Sequence, residues 1–130
     1  MIDIASKVFT KRIEDYEWQV IVDEYSRSES SNYTKLLFKI NIKRLSRNYD
    51  DNIYSSSSGS YVQFKVNGTT YKLNAAYDLR GSSIGTTKTL TSKYFTIYHN
   101  ENGQKTVDFE VMHFTNSRLS SVYISDSYTI

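Results

Sequence analysis

Two histidines, His99 and His113, are the only imidazoles of the chain, and 14 Asp and Glu side chains accompany them. The chain contains no cysteine, which removes a thiolate nucleophile and a thiolate metal site together. A hydrolytic triad would need one of the histidines as base beside an activated serine. The serine-rich stretches "SSSSGS" and "RGSSIG" lack the strand-turn-helix setting of a nucleophile elbow, so serine-hydrolase chemistry is not supported. Zinc would need further ligands besides these two residues, and no pair of histidines stands one helical turn apart.

Carboxylates for glycoside hydrolysis are available at Asp50, Asp51, Asp78, Glu101, Asp108 and Glu110, but the spacing does not say which of them folding brings together. Asp108 and Glu110 alternate with apolar residues, the pattern of a solvated strand face. Asp50, Asp51 and Asp78 fall in polar stretches and offer oxygen ligands for a structural calcium ion, yet no EF-hand pattern is present, so no cofactor is expected. Neither GxGxxG nor GxxxxGK[ST] occurs. Asn32 and Asn67 begin N-x-T sequons, of which Asn67 is also required by a turn.

The elements that must position these groups read as strands. In "YEWQVIVDEY", Tyr16, Trp18, Val20 and Val22 share one face, and Trp18 is expected to anchor the core. In "NYTKLLFKINIKRL", Leu36, Phe38, Ile40 and Ile42 point one way and Lys35, Lys39 and Lys43 the other; a slip of one residue would expose the whole apolar set. "YVQFKVNGTTYKLN" is a hairpin, with Val62, Phe64 and Val66 inward and Asn67-Gly68 supplying positive φ at the turn. "LRGSSIGTTKTLTSK" reads as a loop with a short strand near Lys88 to Leu90, and "SRNYDDNIYSSSSGS" as one long loop. "YFTIYHNENGQKTVDFEVMHF" reads as two strands around "HNENG", in which His113 continues the core face of Val107, Phe109 and Val111; a hydrogen-bonded core-edge histidine outweighs a metal ligand. Val122 and Ile124 mark a last core-facing strand.

The resulting fold class is all-β: a single antiparallel β-sandwich over residues 1–130, jelly-roll or immunoglobulin-like, of about seven or eight strands. Residues 1–15 are either an N-terminal arm or a first edge strand. With no proline to guard the edges, Lys35, Lys39 and Lys65 are expected to take that role. Charged residues from Asp3 to Asp15 leave no room for the apolar core of a signal peptide, and no run is long enough for a membrane helix.

A net charge of +2 is too close to balance for a dedicated nucleic-acid binder. The local exception, "KINIKRLSR", is read as the solvated face and exit of a strand rather than a phosphate patch. Twelve tyrosines remain to be explained. Tyr49, Tyr54, Tyr61, Tyr71, Tyr77, Tyr94 and Tyr98 mingle with Asn, Asp and Ser, a mixture suited to stacking on sugar rings or to protein contacts, although many of them will pack across strands. For carbohydrate the candidates are Tyr54, Tyr77, Asp78 and Asn52, which lie in or beside the polar stretches a sandwich presents at one end.

The order of these features resembles that in virion structural proteins of long-tailed phages of Gram-positive bacteria. The resemblance rests on "WQVIVDEYSRSESSNYTKLLFKINIKR", "YVQFKVNGTTYKL", "KTLTSKYFTIYHNENGQKTVDFEVMHF" and the terminal "SYTI". Within the third stretch, His99, a polar Asn102-Gly103 turn and the strand opening at Lys105, Thr106 and Val107 match the family's pattern. It spans about Glu17 to Ile130. The polar stretch before Tyr61 is long for the family, and the last strand is tyrosine-rich where the family has a plain Ser/Ala alternation.

The resemblance implies a non-enzymatic tail, baseplate or head-decoration component located in the virion and made in the host cytoplasm. It implies other virion proteins as partners, and host cell-wall polysaccharide as a ligand. The alternative is a purely structural, homo-oligomeric interaction domain that binds no glycan. Neither membrane nor nucleic acid is expected as a partner.

Overall fold

The computed structural model describes residues 6–28, 33–46, 54–55, 59–98, 106–115 and 121–129. Its strands are β1 (Ser6–Ile13), β2 (Tyr16–Ser28), β3 (Tyr33–Arg44), β4 (Tyr54–Ser55), β5 (Tyr61–Val66), β6 (Thr69–Asn74), β7 (Tyr77–Asp78), β8 (Thr87–Tyr98), β9 (Thr106–Phe114) and β10 (Val122–Thr129), with no helix among the described residues. They form a four-stranded sheet β1-β2-β3-β8, a second four-stranded sheet β10-β9-β5-β6, and a ribbon β4-β7. All pairings are antiparallel, and the two sheets pack face to face as a β-sandwich.

Alternation explains the packing. Tyr16, Trp18, Val20 and Val22 on β2 and Leu36, Phe38, Ile40 and Ile42 on β3 are all buried, and β2 and β3 pair so that Val22 faces Phe38 and Trp18 faces Ile42. From the opposing sheet come Val62, Phe64 and Val66 on β5, Val107, Phe109 and Val111 on β9, and Val122 and Ile124 on β10. At the β5–β6 turn Asn67 and Gly68 both have positive φ (48° and 87°), the backbone that a two-residue hairpin demands. Asn67 has a second role: its backbone N–H donates to the Asp108 carbonyl at 2.9 Å while its Oδ1 accepts from the Asp108 N–H at 2.9 Å, which clamps the hairpin to β9.

Three sequence expectations are corrected. The supposed short strand near Lys88 is the start of β8, which runs unbroken for 12 residues because it pairs along β3; a bulge where Ile40 and Asn41 face Thr91 and Thr89 turns Leu90 into the core. The long polar stretch before Tyr61 contributes β4, which pairs with β7. Lys35, Lys39 and Lys65 do not guard edges, because β3 and β5 are interior strands of their sheets. The edge charges are instead Lys7 and Lys11 on β1, Lys88 and Lys93 on β8 and Asp126 on β10. Each stands opposite a core residue (Val22, Trp18, Ile42, Phe38 and Phe109 respectively), so each occupies a core-facing position where an added strand would bury charge. On the side where β1 and β10 meet, Lys11 Nζ donates to the Tyr123 carbonyl at 3.2 Å.

Candidate functional site

The ribbon β4–β7 brings two of the sequence candidates together. Tyr54 stands directly opposite Asp78, and Ser55 opposite Tyr77. Arg80, two residues past Asp78, folds back on it: Nε donates to Oδ1 at 3.0 Å, Nη2 to Oδ2 at 2.8 Å, and the Arg80 backbone N–H to Oδ1 at 3.0 Å. This is the bidentate fork that a guanidinium makes best. Those bonds hold the Asp78 carboxyl down to about 2, the side-chain bond from Arg80 being the largest cause. The same guanidinium lies over the Tyr54 ring with its central carbon 3.7 Å from the centroid. Tyr54 is 51% exposed, so its ring is propped on a fixed cation and still reaches solvent.

Tyr77 is not part of that surface. It is 6% exposed, its hydroxyl donates to the Thr115 carbonyl at 2.9 Å, and its ring packs edge-on to His113 with centroids 5.2 Å apart. The signal was present in the sequence: the buried Ala75, Tyr77 and Leu79 alternate with the exposed Asn74, Ala76, Asp78 and Arg80. Asn52, His99, Tyr49, Asp50, Asp51 and Glu101 lie outside the described residues.

His113 is buried, 2% exposed, with Nδ1 accepting from Trp18 Nε1 at 2.9 Å. Its Nε2 has no hydrogen-bond partner. An imidazole that accepts at Nδ1 is neutral with its proton on Nε2, and burial pushes its pKa down to about 4. The group is a core polar residue sealed between Trp18 and Tyr77, half satisfied rather than fully hydrogen-bonded.

Arg44 was missed. Read as part of a solvated basic stretch, it is 0% exposed, with Nη2 donating to the Tyr16 hydroxyl at 2.8 Å and to the Leu79 carbonyl at 3.1 Å. Its even-numbered place after Leu36, Phe38, Ile40 and Ile42 is the inner face, so the period that assigns those residues to the core assigns Arg44 to it as well. Lys39 and Lys43 keep the outer face.

Two concavities lie among the described residues. One, about 450 Å³, lies over the β9–β10 side of the second sheet, lined by Asp108, Glu110, Asp126, Ser125, Ser127 and Lys65. Glu110 there faces Lys65 across β5 and β9, so the carboxylates considered for hydrolysis stand on an outer sheet face with a lysine opposite one of them. The other, about 290 Å³, lies in the seam between edges β6 and β8, lined by Tyr71, Phe95, Ile97, Tyr98, Thr96 and Asn67. Tyr71 closes that seam edge-on to Phe95 (centroids 5.1 Å apart), with the Lys93 ammonium 4.9 Å from the Tyr71 ring centroid. No group of three or more His, Cys, Asp or Glu among the described residues is arranged to hold a metal ion, and no helix among them is long and apolar enough to cross a membrane.

Comparison of the chain with protein-family models, with curated proteins and with solved structures finds no match.

Proposed function

We propose that the chain is a non-enzymatic structural module of a phage virion, of the tail, baseplate or decoration kind, that docks to other virion proteins and engages host cell-surface carbohydrate through Tyr54. The observation that carries the carbohydrate reading is the geometry at the ribbon: a half-exposed tyrosine ring backed at 3.7 Å by a guanidinium that a carboxylate pins in place. A ring held this way loses little rotamer freedom when a sugar ring stacks on it. Arg80 uses two of its side-chain N–H groups on Asp78; a guanidinium has others with which to bond sugar hydroxyls. The assignment to a virion rests on the sequence resemblance.

Retention of the purified chain on Gram-positive host cell walls tests the reading. Tyr54→Ala and Arg80→Ala are expected to abolish retention while leaving the fold intact; retention unchanged in both variants overturns it. Tyr77→Ala does not serve here, because it opens the core. A second reading, a scaffold without glycan affinity, is favoured by strand β6, an edge whose core-facing positions carry no charge.

A further inference from the structure

The four edges of the sandwich are β1, β8, β10 and β6. The first three place a charge at a core-facing position: Lys7 and Lys11, Lys88 and Lys93, and Asp126. On β6 the core-facing residues are Thr69, Tyr71 and Leu73, opposite Val66, Phe64 and Val62. An edge without an inward charge, a proline or a bulge is a template for another strand.

The ladder shows which backbone groups of β6 are open. Just beyond β6, the Ala75 N–H donates to the Ser60 carbonyl at 3.2 Å, and this pair continues the β5–β6 register in which Tyr61 faces Asn74. Antiparallel pairs alternate between hydrogen-bonded and non-hydrogen-bonded. Thr69, Tyr71 and Leu73 therefore direct their N–H and C=O groups to β5, and Thr70, Lys72 and Asn74 direct theirs to the open edge.

We infer that β6 is a homodimerisation edge, which pairs antiparallel with β6 of a second copy about a two-fold axis at Tyr71 and joins the two second sheets into one of eight strands. A second copy is the occupant because β6 is self-complementary in this register. Tyr71 meets Tyr71 of the partner subunit on the core side and covers a ring that is 37% exposed in the single chain. Thr70 meets the partner's Lys72 on the outer side, and these are the residues whose backbone groups are open. Thr69 meets the partner's Leu73, a small side chain against a large one. The next even register, centred on Lys72, would set two ammonium groups directly opposite each other and is disfavoured. The apolar seam of Tyr71, Phe95 and Ile97 is continuous with the contact. The inference does not depend on carbohydrate binding, and its test does not read it.

Sedimentation or light scattering of the full chain over a range of concentrations tests it, with the wild type expected to dimerise. Thr70→Pro removes an outward-directed N–H and no bond to β5. It is expected to raise the dimer dissociation constant at least about tenfold for the hydrogen-bond pair lost, with an unchanged circular dichroism spectrum. The chain has no cysteine, so single cysteines report the register. Tyr71→Cys is expected to form a disulfide-linked dimer on mild oxidation, because a non-hydrogen-bonded pair brings Cα atoms to about 4.5 Å. Lys72→Cys is expected to cross-link much less. A wild type that stays monomeric at millimolar concentration overturns the inference, even where a strand of another protein binds β6. So does a dimer indifferent to Thr70→Pro, or one that cross-links through Lys72→Cys and not Tyr71→Cys.

Discussion

The two ends of the core are built on different chemistry. At one end Phe38 meets Phe95, Phe109 and Phe64 at centroid distances of 5.3, 5.4 and 6.3 Å, every contact edge-on, and Phe9 joins through Phe109 at 5.0 Å. At the other, Tyr16, Trp18, Arg44, Tyr77 and His113 are all buried and joined by directed bonds, Trp18 to His113, Arg44 to Tyr16 and Tyr77 to Thr115. The phenylalanine end gains from area and from edge-to-face geometry that many sequences satisfy. The polar end constrains the relative position of the sheets, because Trp18 on β2 donates to His113 on β9 of the opposing sheet. The difference separates what stabilises the sandwich from what fixes its alignment.

That contrast can be broken from either side. Phe38→Ala removes the hub of the ring cluster and is expected to cost about 3–5 kcal/mol in denaturant unfolding, with little dependence on pH. The polar end is expected to respond to acid. Between pH 6.5 and about 4 the unfolded chain binds a proton at residue 113 that the folded chain refuses, because burial has lowered the pKa of His113. Stability is therefore whole above pH 6.5 and falls as pH falls through that window, by up to about 3 kcal/mol. Urea midpoints from pH 7 to 4 check this, and His113→Phe is expected to flatten that part of the profile.

Trp18→Phe keeps the ring and deletes the N–H that donates to His113. The expected cost is about 1–3 kcal/mol for an acceptor left buried. A double-mutant cycle with His113→Phe is expected to recover part of it, since the second change removes the stranded acceptor. The smallest effect belongs to the surface ribbon. Asp78→Asn breaks an exposed ion pair and is expected to leave the unfolding midpoint within error. It is nevertheless expected to weaken retention on cell walls by freeing Arg80 from its place over Tyr54.

Much of the fold was legible because period two survives folding unchanged. The buried rows of β2, β3, β5, β9 and β10 are the rows that the alternation names. Position outranks residue type in this fold. Arg44 carries a charge that suggests solvent but lies on the same parity as Ile42 and is buried, and Tyr77 carries a ring that suggests a binding surface but lies between Ala75 and Leu79 in a buried row. Of the carbohydrate candidates, Tyr54 and Asp78 come together across the β4–β7 ribbon, and Arg80 joins their side chains, a role that no local pattern marks.

Local chemistry alone determined the buried rows of β2, β3, β5, β9 and β10, the Asn67-Gly68 hairpin and the burial of His113, since each follows from alternation or from a φ that few residues tolerate. Strand order was not local. Which lysines guard an edge, which tyrosine is propped outward and which strand is left open depend on pairings such as β3 with β8 and β5 with β9, between residues far apart in the chain. The same side chain is a guard on an edge strand and an ordinary surface group on an interior one, and only the assembled sheets decide which.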